Sequence, residues 1–94
     1  MRALYDSQAD ALSIDLIDAD RWDSSEVIDP DYCTIALAAG RPANVELLAP
    51  REHLSLLERA ATSHGLDSVA LTAAAQSALA APDRQVSLDV SAPA

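Results

Sequence analysis

Ninety-four residues make one domain at most, burying about 60 to 65 per cent of the unfolded surface, so no separate catalytic domain fits. A formal charge of −9, from 15 acids against six bases that are all Arg, argues against nucleic acid, whose binding depends on neutralising phosphates with Lys and Arg. The single Cys excludes an internal disulfide and suits a reducing compartment. No apolar segment follows Arg2 and no run approaches the ~20 apolar residues that span a bilayer, so the chain is expected to be cytoplasmic and without membrane contact.

Residues 2–17 read as two short strands around a polar turn. Ala3, Leu4 and Tyr5 open the first, and Asp6-Ser7-Gln8-Ala9-Asp10 reverse the chain. The second alternates, with Leu12, Ile14 and Leu16 on one face and Ala11, Ser13 and Asp15 on the other. Asp6 and Asp10 lack the companion oxygens and the glycine of a calcium loop, so they are expected to cap the turn. From Asp18 to Asp31 the chain is polar and acidic, and Glu26-Val27-Ile28 is expected to form a short edge strand ended by Pro30. Two roles are open to Trp22: folding back over one end of the core, which is the expected one, or standing exposed as an anchor for a partner.

Residues 32–38 give the next strand, with Cys33, Ile35 and Leu37 facing the core and Thr34 and Ala36 turned away. Cys33 in that register is expected to be an inert buried thiol. Gly40 turns the chain, after which Ala43, Val45 and Leu47 face the core and Asn44 and Glu46 face outward. Beyond Pro50 the pattern lengthens to a helical period. Leu54, Leu57 and Ala61, with Leu56 and Ala60 beside them, predict one amphipathic helix from Arg51 to His64, stopped by Gly65 and locked by Leu66. Asp67 is a candidate N-cap for a second helix whose apolar side is Val69, Leu71, Ala74, Ala75, Ala78 and Leu79, and which Pro82 ends. So short a connection forces the two helices into a hairpin or a sharp corner. Residues 85–90 alternate again, as a strand that either rejoins the sheet or pairs with a second copy. The expected fold class is α+β, a single domain over 1–94. It comprises an antiparallel β-meander over 1–48, covered on one face by a two-helix hairpin over 51–81, with a C-terminal strand over 85–90.

Tyr5-Asp6, the Ala9-Asp10-Ala11-Leu12 that follows, Gly40-Arg41-Pro42 and Val45-Glu46-Leu47-Leu48 together resemble a small bacterial family, domain of unknown function 2283, over roughly residues 1–50. The resemblance implies a compact antiparallel sheet and carries no reaction, cofactor or catalytic residue to transfer. Members of that family look like partners in small two-gene modules of the toxin and antitoxin kind. This chain has Ser13 where the family commonly carries a bulky residue, and Ala38 and Ala39 where it carries acids before the turn glycine, which leaves the implied fold intact and weakens the surface analogy. The helices and the last strand lie outside the resembling region.

Catalytic chemistry finds no signature in the pattern. His53 and His64 are 11 residues apart on the expected helix, which puts them within about 20° of one face but roughly 16 Å apart, too far for one metal ion. Pairing with Glu46 or Glu52 is open to His53, and a histidine in the last turn, as His64 would be, suits a helix C-terminus. Cys33, His53 and the carboxylates match no nucleophile and base motif, and the two glycines form no phosphate loop. Residues 68–81 carry no Lys or Arg with which a helix-turn-helix would read DNA, so that alanine-rich helix is expected to pack. The expected function is a non-enzymatic protein-interaction module, a homodimer without cofactor or metal, that offers an acidic face to a basic protein. Nine of the 15 acids lie in residues 1–31, and Asp18, Asp20, Trp22, Asp23 and Glu26 are the expected partner contacts. Two alternatives stand beside it: an antitoxin-like partner of a small basic toxin, and a small hydrolase or ligand-binding domain with a pocket between sheet and helices, using Cys33 or His53.

Overall fold

The computed structural model describes residues 1–88. β1 (Arg2–Asp6) and β2 (Ala11–Asp15) pair antiparallel, and burial alternates along both, with Ala3, Tyr5, Leu12 and Ile14 inside. Their turn is held as the carboxylates imply. Asp6 Oδ1 accepts from the amides of Gln8 (3.0 Å) and Ala9 (3.2 Å), and the Tyr5 hydroxyl donates to Asp10 Oδ1 at 2.6 Å. β3 (Ser24–Asp29), β4 (Cys33–Ala38) and β5 (Arg41–Leu48) form a second antiparallel set, with Cys33, Ile35, Ala43, Val45 and Leu47 buried.

The six strands run in the order β3-β4-β5-β2-β1-β6, where β6 is Val86–Ser87. Neighbours in the sheet are therefore not always neighbours in the chain. β2 pairs with β5, setting Leu12 opposite Leu47 and Ile14 opposite Val45, while β3 is left at one edge. Residues 16–23 cross over the ends of β5 and β4 to reach that edge, tied by the Leu16 amide to the Ala43 carbonyl (2.8 Å) and the Asp23 amide to the Leu37 carbonyl (3.0 Å).

Three helices follow: α1 (Pro50–His53), α2 (Leu56–His64) and α3 (Ser68–Ala80). The single helix expected over 51–64 is broken. The chain leaves β5 through Ala49 at φ 45, and the amides of Leu57 and Glu58 reach the carbonyls of Leu54 and Ser55, bonds three residues long that tighten the backbone between α1 and α2. This break lets α2 lie across the sheet with Leu56, Leu57, Ala60 and Ala61 buried. Its end matches the sequence pattern. Gly65 takes φ 65, and both its amide and that of Leu66 bond to the Ala61 carbonyl, a Schellman closure. Asp67 then accepts from the amides of Val69 (3.0 Å) and Ala70 (3.2 Å) and starts α3.

The core lies between the helices and one face of the sheet. Leu57, Leu71 and the alanines at 60, 61, 74, 75 and 78 join Leu12, Ile14, Ile35, Val45 and Leu47. Alanine brings backbone close to backbone, which is how a chain without Phe closes a core from short side chains. α3 packs on β1 and β2, and α2 packs on β3, β4 and β5. After α3, the Asp83 amide donates to the Tyr5 carbonyl (2.8 Å), and its carboxylate accepts from the hydroxyl (2.6 Å) and amide (2.9 Å) of Ser7. Those bonds from Ser7 hold the Asp83 carboxyl below its ordinary pKa and pin the last loop to the first turn.

Four further expectations need correction. Val69, assigned to the apolar side of its helix, is 77% exposed, because α3 is apolar almost all round and its periodicity marks no single face. Asn44 does sit on the outer register but is 2% exposed, its amide donating to Ser13 Oγ and Asp15 Oδ1 at 2.8 Å each. Trp22 does not cover the core, for it is 51% exposed on the crossing segment. The final strand starts at Val86, not at residue 85: Val86 and Ser87 pair with Ala3 and Arg2 in the same chain, and positions 89 and 90 lie outside the described residues. Among the described residues no helix is long and apolar enough to cross a membrane.

Candidate functional site

With the helices on one side, the residues that alternate away from the core form the other face of the sheet. Register places Leu4, Ser13, Glu46, Thr34 and Val27 side by side in a row across five strands. A second row runs through Asp6, Ala11 and Leu48 to Tyr32, whose carbonyl accepts from the Leu48 amide at 2.8 Å. A third contains Arg2, Asp15, Asn44, Ala36 and Ser25. Leu4, Val27, Tyr32 and Leu48, all exposed large apolar residues, belong to this face. Polar side chains would suffice on a merely solvated face.

Asp29, Asp31, Tyr32, Cys33, Thr34, Glu46 and Leu48 line a small open hollow of about 90 Å³. Its aromatic wall is fixed. The Tyr32 ring stacks on His53 with centroids 3.8 Å apart and planes at 18°, and His53 Nδ1 donates to the Ala49 carbonyl at 2.9 Å, since a carbonyl can only accept. Asp29 Oδ1 accepts from the amides of Asp31 (2.9 Å) and Tyr32 (3.1 Å), which sets the β3–β4 turn. Glu46 stands mid-row and forms no ion pair among the described residues.

The contacts expected from sequence are dispersed. Asp18 binds Arg2 at 2.7 Å, and Asp23 Oδ2 accepts from the Ala39 amide at 2.9 Å. Glu26 faces the helix side of β3, where its Oε2 lies 2.7 Å from His64 Nε2. Asp20 and Trp22 remain open to solvent on the crossing segment. The Glu26–His64 contact joins residues 38 apart in sequence, and His64 also holds the last-turn position of α2 expected for it. Arg59 adds a second tie, donating to the Ile28 carbonyl at 2.9 Å and pairing with Asp29 at 4.0 Å, so α2 is fastened to the edge strand through two of its side chains.

Cys33 is buried, and its thiol is pushed up to about 11, first by burial and then by the Asp29 charge, against a smaller opposing pull from Arg59. The Tyr5 hydroxyl lies between Asp10 and Arg51 (3.2 Å), and its bond to Asp10 raises its pKa. A groove of about 690 Å³ runs between β3 and α2, lined by Val27 and Ile28 on one side and Glu58, Arg59 and Thr62 on the other. Neither Cys33 nor His53 lines it. Among the described residues no three of His, Cys, Asp and Glu gather closely enough to hold a metal ion. No family model, no curated protein and no solved structure matches the chain.

Proposed function

We propose that the protein is a non-enzymatic interaction module of the cytoplasm that binds a basic protein partner. The observation that supports it most is the helix-free sheet face, where exposed Leu4, Val27, Tyr32 and Leu48 stand among Asp6, Asp15 and Glu46. Apolar groups interleaved with one sign of charge suit a protein surface of opposite sign better than they suit water. Segment 18–31 adds six acids against Arg21 alone, with Trp22 exposed among them.

An antitoxin-like role is the second reading, and the resemblance of residues 1–50 favours it; the partner would then be a small basic toxin encoded beside this gene. Self-association has less behind it, because β6 pairs with β1 of its own chain and a charge of −9 repels a second copy. The hydrolase reading has less behind it, because Cys33 is buried and His53 is stacked on Tyr32. Affinity recovery of the tagged full chain from its native host tests the proposal. A basic protein should be retained in near-equal amount at low salt and released at about 0.5 M salt, as screening shortens the reach of charge. Recovery of the chain with no basic protein would refute it.

A further inference from the structure

We propose that the partner docks on the helix-free sheet face and places one Lys or Arg side chain in the hollow between Tyr32, Thr34, Glu46 and Leu48. This inference rests on the interaction-module reading and adds the surface and the recognised group. The one base in the three cross-strand rows, Arg2, is already matched by Asp15 at 3.6 Å and Asp18 at 2.7 Å. Glu46 has no such match among the described residues, and Asp29 and Asp31 also line the hollow, Asp29 partly matched by Arg59 at 4.0 Å. A basic side chain fits that pattern from end to end. Its aliphatic stem lies along Leu48 and the Tyr32 ring, and its charged head meets Glu46 while keeping contact with water. A second copy of this chain brings acids against acids at the same place and is the disfavoured occupant. The hollow is also built before binding. His53 fixes the Tyr32 ring and Asp29 fixes the turn that carries it, so little ordering is left for the partner to induce.

The test uses the full chain labelled with ¹⁵N and two synthetic peptides, one alternating Lys and Leu, the other alternating Glu and Leu. The Lys peptide should move the backbone amides of Leu4, Thr34, Glu46 and Leu48, and the Glu peptide should move none of them. Glu46→Gln should weaken the Lys peptide about tenfold, the size of effect expected from losing one close charge pair. Glu46 is exposed and forms no ion pair among the described residues, so the variant keeps the fold, and an otherwise unchanged amide spectrum verifies this. Glu58→Gln, on the helix side, should leave the affinity as it is. Salt-sensitive shifts centred on Asp20 to Asp23 would overturn the sheet-face assignment while leaving the interaction module standing. Unchanged affinity in Glu46→Gln would overturn the hollow, and a doubled mass by light scattering without peptide would assign the face to a second copy. If neither peptide nor any basic protein recovered from the host binds, both proposals fall.

Discussion

Leu57→Ala removes the largest fully buried side chain that α2 lays on the sheet. Truncations of this kind cost about 2–5 kcal/mol, and the spread follows how well the surroundings close over the cavity. Here the helical part of the core is largely alanine, at 60, 61, 74, 75 and 78, and alanine has no side chain to swing into the gap. The loss therefore belongs in the upper range, about 3–5 kcal/mol. Against a total stability of about 5–14 kcal/mol for a domain of this length, that is a large share, and the melting temperature should fall by roughly 15–30 °C. Thermal and urea denaturation followed by far-ultraviolet circular dichroism would read it, with Val69→Ala as the companion variant. Val69 is an exposed residue of α3, so its truncation should cost no more than about 0.5 kcal/mol. A Leu57→Ala cost below about 1 kcal/mol, or equal costs for the two variants, would mean that the helices do not close on the sheet as described.

Asp67→Ala should cost about 1 kcal/mol by uncovering the first amides of α3, whereas Ser55→Ala, which removes no capping bond at the start of α2, should be nearly neutral; urea midpoints of the two variants decide it. Gly65→Ala should cost about 1 kcal/mol although nothing lies within 4 Å of the added methyl, because the penalty comes from φ 65 alone; Gly65→Asn should recover part of it. Cys33 should resist iodoacetamide in the native state and react on unfolding in urea. Its ordinary pKa of 9.0 is raised to about 11 by folding, so its contribution is complete below pH 9 and is lost as pH rises from 9 to 11, where the unfolded thiol ionises first. The difference in stability between the native chain and Cys33→Ala across that range isolates the effect, and a pH-independent difference would contradict it.

Short-range chemistry was legible in the sequence. Strand alternation placed Leu12 and Ile14, Cys33 and Ile35, and Val45 and Leu47 correctly, and the Gly65 stop and Asp67 cap are local rules obeyed locally. Features set by distant residues were not. The pairing of β2 with β5 leaves no trace in either strand, and the break between α1 and α2 carries no internal Gly or Pro to announce it. Alternation gave the face of Asn44 but not its depth, which depends on Ser13 and Asp15 across the sheet. The acidic bias of residues 18–31 was visible, yet Glu26 could not be seen to face His64. Tyr32 and Leu48 occupy outward positions that read as solvated, and Glu46 reads as an outward residue open to pairing with His53. They meet around one hollow across the β4–β5 hairpin, with the Tyr32 ring held against His53.

The most direct measurement is amide hydrogen exchange on the full chain, alone and with the basic protein recovered from its host. Protection should appear in residues 32–38 and 41–48, on the strands that carry Tyr32, Thr34, Glu46 and Leu48, and leave α2 and α3 unchanged. Protection confined to the helices, or none on either face, would contradict the sheet-face interface.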